Sequence, residues 1–195
     1  ADIAAGRTVI LKSGLHNCAP VGIGRGLLIK INSNIGTSMF NNDPAKELEK
    51  LAVSVRYGAD TVMDLSTGGD IHAMRRTILK ESRIPVGTVP VYEAIVRCPD
   101  VAGLSEDDLL DSIRTHIQDG VDFITVHCGV TRSCIPLLEK RIMGVVSRGG
   151  SFLIKWMLHH DRENPLFTRY DEILEMAREH DVCLSLGDGL RPGCL

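Results

Sequence analysis

The chain has 195 residues, 44% of them hydrophobic and 24% charged, and a formal charge of −3. That is apolar material for one full core and too little length for two, so a single domain spanning residues 1–195 is predicted. The slight acidity offers no basic field to nucleic acid or an anionic membrane, no apolar run reaches the ~18 residues of a membrane span, and Ala1 to Arg7 lack a secretory layout; a cytoplasmic protein with neither partner is expected.

Apolar and β-branched runs recur along the chain at Leu27–Ile31, Thr61–Leu65, Val86–Val89, Phe123–Val126, Met143–Val146 and Val182–Leu186, which predict six short strands. Helical patterns lie between most of them. Leu48, Leu51, Ala52 and Val55 share a face, as do Leu109, Leu110, Ile113 and Ile117, then Leu153, Trp156, Met157 and His160, then Ile173, Leu174 and Ala177. Ser105 with Asp108 and Thr168 with Asp171 have the spacing of helix N-caps, and Gly120 suits a C-cap. Buried runs linked by helices predict an α/β protein with a parallel sheet.

Polar clusters follow the strands: Asn32 to Ser38, Ser66 to Asp70, Pro90 to Glu93, His127 to Gly129, Ser147 to Ser151 and Gly187 to Arg191. An open doubly wound sheet gathers its site at one switch point, whereas a (β/α)8 TIM barrel draws on many strand ends. The distribution predicts the barrel, with about six of its eight βα units in this chain.

Period two places Leu28, Lys30, Asn32 and Asn34 on one side of a strand, where the amides suit a heterocycle or ribose; a plain turn and helix entry is the alternative. Ser147, Arg148 and Gly149 precede a helical pattern and offer hydroxyl, guanidinium and unobstructed amides to a phosphate. Asp188, Gly189, Leu190 and Arg191 repeat the arrangement with an acid and a base, although glycine-rich strand ends are often only turns. Of the seven histidines, His127 alone follows a strand, where it can serve as hydrogen-bond donor, acid or base. His159 and His160 are neighbours on a helix and diverge, so packing or surface roles are expected. Met63 reads as core filler and Tyr92 as a packed aromatic. The six cysteines, 18, 98, 128, 134, 183 and 194, form no Cys-x-x-Cys pair and are expected to be reduced, mostly buried thiols.

Five phrases in order, Asn32–Ser38, Gly58–Gly68, Pro85–Tyr92, Val146–Ser151 and Leu184–Gly193, closely resemble the phosphomethylpyrimidine synthase family. The resemblance implies a (β/α)8 barrel that binds 5-aminoimidazole ribotide and rebuilds it into 4-amino-5-hydroxymethyl-2-methylpyrimidine phosphate for thiamine. It implies radical chemistry from a four-iron, four-sulfur cluster and S-adenosylmethionine, a divalent metal (zinc or iron), and a homodimer. The matching substrate positions are Asn34, Met63, Tyr92, His127, Ser147, Arg148, Gly149, Asp188, Gly189, Leu190 and Arg191, with His127 as the catalytic candidate; no metal ligand is assigned in this chain. Only the resemblance raises Met63 and Tyr92 above packing roles.

Ser33, Glu93 and the Ile10–Ser13 segment depart from the family's usual Ala, Gln and Ile-Pro-Ala-Asn. These departures leave room for the paralogous 5-hydroxybenzimidazole synthase, which uses the same ribotide in cobamide synthesis. The family's last barrel units and its cysteine-rich cluster motif are not in this sequence, so a truncated, non-catalytic ribotide-binding or structural half-barrel is a further reading. A Schiff-base aldolase with Lys30 as nucleophile is the reading from a different enzyme class.

Overall fold

A computed structural model describes residues 1–194. The chain opens with an antiparallel hairpin, β1 (Thr8–Leu11) and β2 (Val21–Gly24). There follow β3 (Asn32–Ile35), α1 (Pro44–Arg56), β4 (Thr61–Asp64), α2 (Ile71–Glu81), β5 (Val86–Thr88), α3 (Pro90–Arg97), α4 (Glu106–Asp119) and β6 (Phe123–Val126). The last elements are α5 (Arg148–His160), α6 (Pro165–Thr168), α7 (Tyr170–Glu179) and β7 (Cys183–Leu186). Strands β3 to β7 form a five-stranded parallel sheet in sequence order, flanked by the helices. The α/β expectation holds.

Two of the expected strands are corrected. Leu27–Ile31 is not extended sheet; Leu28 and Ile29 are exposed and the strand begins at Asn32, inside the polar phrase. Pairing decides this, because Asn32–Ile35 matches Thr61–Asp64 residue for residue, and ladder bonds outweigh the weak strand propensity of Asn and Ser. Met143–Val146 is not a strand either: Gly144 stands at φ 59, which breaks an extended run, and β6 pairs directly with β7. Five parallel strands, not six, are therefore present among the described residues, together with a hairpin the apolar runs did not disclose.

Local chemistry sets the helix ends. Ser105 and Asp108 form a reciprocal capping box at the start of α4, and Gly120 closes it in the left-handed conformation at φ 95. The Thr168 cap is corrected: Asn164 caps Leu166, Pro165 sits at the first helical position, and α6 starts early, so Thr168 ends that helix. The following α7 has no side-chain cap.

Alternation divides the sheet into two faces. Ser33, Ile35, Val62, Asp64, Val86, Thr88 and Ile124 share one face by register, and Ser33 and Thr88 hydrogen-bond Ser54 of α1 and His116 of α4 on that side. Ile35, Val62, Val86 and Ile124 join Leu51, Ile78, Ile113 and Ile173 in the buried core. The opposite face carries Asn32, Asn34, Thr61, Met63, Gly87, Phe123, Thr125, Cys183 and Ser185. Gly87 is required there, since a Cβ would stand 2.1 Å from the Phe123 ring. Val9, Leu11 and Ile23 of the hairpin help enclose a cavity of about 420 Å³ over this face, with Lys30, Asn32, Thr61, Met63 and Phe123.

Candidate functional site

The carboxyl ends of the parallel strands bring most of the predicted site residues together. His127 continues the alternation of Phe123 and Thr125 one step past β6, and it is buried. Its carbonyl accepts from Asn164 Nδ2 at 3.0 Å, which fixes the backbone beneath the ring. The ring itself lies among glycines: a Cβ at Gly149 would stand 2.6 Å from Cε1, and one at Gly187 would stand 3.1 Å from Nε2. A side chain at Gly149 would displace the imidazole, and one at Gly187 would crowd Thr125 and the ring edge.

Ser147 caps α5, its hydroxyl accepting from Gly150 N at 3.2 Å. The amides of Arg148 and Gly149 precede the helix's own bonding ladder, at the positive end of a helix of 13 residues. Arg148 places its guanidinium 5.2 Å from the centroid of Tyr92, in the first turn of α3. The loop after β7 closes over this turn so tightly that a Cβ at Gly150 would meet Gly189 O at 1.9 Å. Within the loop Arg191 donates to Asp188 O at 2.8 Å, Leu190 N donates to Asp188 Oδ1 at 3.2 Å, and Arg141 donates to Leu190 O.

Burial lowers the His127 pKa below the ordinary histidine value; the Arg191 charge adds to this and Asp188 opposes it. The imidazole is therefore neutral at neutral pH, with one nitrogen free to accept. Among the described residues, Nδ1 of His127 and Oγ1 of Thr125, two residues apart on the same face, are the buried side-chain polar atoms without a hydrogen-bond partner. Such atoms are costly unless something meets them.

Asn34 and Met63 stand apart from this cluster. They are register partners on β3 and β4, on the same sheet face as His127. Met63 lines the cavity under the hairpin, whereas Asn34 accepts from Asn32 Nδ2 at 2.9 Å and borders a groove with Lys46 and Lys50 at the edge strand. Lys30 also lines the cavity, with its ammonium donating to Leu28 O at 3.0 Å. Neither the cavity lined by Met63 nor the groove bordered by Asn34 includes His127.

Glu93, next to Tyr92, turns the other way, into the helix layer. It pairs with buried Arg75 and accepts from His116 Nε2 at 2.8 Å. Its departure from the family pattern thus lies outside the pocket wall. Sequence reasoning missed this network and the buried contact of His16 with Asp122, because both join residues distant in the chain. The glycine packing around His127 left only the plain signal of glycine-rich strand ends.

Comparison with known proteins gives the site its context. The model of the radical SAM ThiC family matches residues 1–195. The chain belongs to that family. It is 53% identical over 200 residues to the phosphomethylpyrimidine synthase of Thermodesulfovibrio yellowstonii, covering 100% of this chain and 47% of the relative. It is 54% identical over 202 residues to that of Moorella thermoacetica, at the same coverage, and 53% identical to that of Methanopyrus kandleri, covering 98% of this chain and 46% of the relative. The chain thus spans about half the length of the curated relatives it matches.

A radical SAM family implies an iron–sulfur cluster and S-adenosylmethionine. A cluster needs several thiolates converging on one point. Among the described residues the close group of metal-ligating side chains is His16, Cys18 and Asp122, with a single thiol. These residues do not fit a cluster.

Proposed function

We propose that this chain supplies the ribotide-binding wall of an enzyme that converts 5-aminoimidazole ribotide into 4-amino-5-hydroxymethyl-2-methylpyrimidine phosphate. The observation that carries the reading is the convergence of His127, the Ser147–Gly149 turn and the Asp188–Arg191 loop at the carboxyl ends of the parallel strands. In this reading the phosphate sits on the amides and hydroxyl of the α5 turn, helped by Arg148 and Arg191. Asp188 and Asn34 orient ribose or imidazole, Met63 and Tyr92 shape the ring pocket, and His127 makes a hydrogen bond or moves a proton. Strand order without a switch point supports an arc of a (β/α)8 barrel rather than a doubly wound sheet. The pyrimidine product is preferred to the benzimidazole because Glu93 faces away from the pocket and the similar relatives are named for the former. A homodimer is the assembly proposed.

Calorimetry tests the reading. Aminoimidazole ribotide should bind and its dephosphorylated riboside should bind at least about tenfold more weakly, a loss of about 1.4 kcal/mol. Equal affinity for the two compounds would sink the phosphate assignment.

A further inference from the structure

A second cluster lies away from the strand ends that hold the ribotide. His16 Nδ1 is 2.5 Å from Asp122 Oδ2, and Cys18 Sγ is 3.6 Å from Asp122 Oδ1. Nitrogen, sulfur and oxygen ligand atoms thus lie within 4.8 Å of one another, with His16 and Asp122 buried and Cys18 half-buried. Backbone amides hold the carboxylate in place, Ser13 N donating to Oδ1 at 2.8 Å and Val86 N to Oδ2 at 2.7 Å. The far ring nitrogen of His16, Nε2, meets the carbonyl of Ser82 at 3.2 Å. An Nε2–H donating there leaves Nδ1 to face the cluster, which is how an outer partner sets the tautomer of a ligating histidine.

We infer that His16, Cys18 and Asp122 form a zinc(II) site that fastens the arm between β1 and β2 to the amino ends of β5 and β6. The proton count balances. Without zinc the thiol of Cys18 faces Asp122, and both ring nitrogens of His16 face oxygen atoms. Binding displaces the thiol proton, and any proton on Nδ1, to solvent, and the divalent ion takes their place. Zinc–ligand bonds of about 2.0–2.3 Å place neighbouring ligands roughly 3.3–3.6 Å apart. The sulfur is already at 3.6 Å, and the His16–Asp122 pair opens from 2.5 Å. The donor set suits zinc, and three protein ligands leave the fourth position to water.

The test uses the reduced chain, stripped with a chelator and titrated with cobalt(II). A thiolate-to-cobalt absorption band should grow to about one ion per chain and vanish on adding zinc(II). Cys18→Ser should lose the band and weaken zinc binding at least about tenfold, while Cys134→Ser keeps both. No band, a band that survives in Cys18→Ser, or one lost in Cys134→Ser overturns the proposal. Should Cys18→Ser fail to fold, the unaltered chain decides: zinc should slow iodoacetamide alkylation of Cys18 at least about tenfold and leave Cys134 unchanged, and an unchanged Cys18 rate refutes the site.

Discussion

The imidazole of His127 occupies the space that a side chain at Gly149 would need, with a virtual Cβ only 2.6 Å from Cε1. The absent methyl group therefore leaves the room that the imidazole fills. Gly149→Ala should cost about 1–3 kcal/mol of stability through overpacking and weaken ribotide binding at least about tenfold. Gly129→Ala, with nothing within 4 Å of its added Cβ, is the comparison. Melting curves and calorimetry on both variants check this; equal behaviour would show that the contact is inert.

Arg148 and Tyr92 should be energetically coupled. A guanidinium 5.2 Å from a ring centroid contributes about 0.5–1 kcal/mol where solvent reaches it and about 2 where it does not. A double-mutant cycle of Arg148→Ala and Tyr92→Leu, read by denaturant unfolding, should give coupling in that range. Strict additivity would remove Tyr92 from the description of the turn.

Gly87→Ala drives a methyl group to 2.1 Å from the Phe123 ring. The expected loss is about 1–3 kcal/mol. Phe123→Leu in the same chain should recover part of it, which differential scanning calorimetry can measure. Failure of the rescue would show that the loss does not come from this contact.

The helix layer should make the fold labile to acid. Burial and the Arg75 charge hold His116 down to about 4, although Glu93 pulls the other way, so an unfolded chain takes up a proton below the ordinary 6.5 that the folded chain declines. Burial alone would raise Glu93, but hydrogen bonds from His116 and Arg75 prevail and hold it at about 2, below its ordinary 4.5. Its contribution is present above about 4.5 and disappears as the pH falls towards 2. Both effects carry one sign: stability should decline from about pH 6.5 downward, first through His116 and then through Glu93. Glu93→Gln should lower stability at neutral pH by about 1–3 kcal/mol and flatten the decline below pH 4.5. Urea unfolding across this range is the measurement, and an unaltered slope in the variant would assign the lability elsewhere.

Much of this architecture could be read from residue types. Val62, Val86 and Ile124 are buried between layers and so announce their strands as apolar runs. Asn32–Ile35 announces nothing, because two of its four residues are exposed amides on the face away from the helices, and only pairing with Thr61–Asp64 makes it a strand. Helix α2 hides for a related reason: Arg75, fully buried, interrupts an apolar stripe because Glu93 and Asp119 neutralise it from other helices. His127 and the Gly187–Arg191 turn were legible from their places after strands, whereas the Ser147–Gly149 turn follows no strand and showed only as glycines before a helical pattern. Their mutual contact was not, since it depends on where β6, α5 and β7 end relative to one another.

Strand order also bears on how the molecule is made. Because each strand of the parallel sheet pairs with the one synthesised just before it, the sheet can grow during translation without waiting for distant partners. The hairpin is the exception. Its arm leaves the ribosome before the sheet does, yet His16 meets Asp122 only after 106 further residues have emerged. Docking of this arm thus waits for β6, and a nascent polypeptide halted before that strand would carry the arm free.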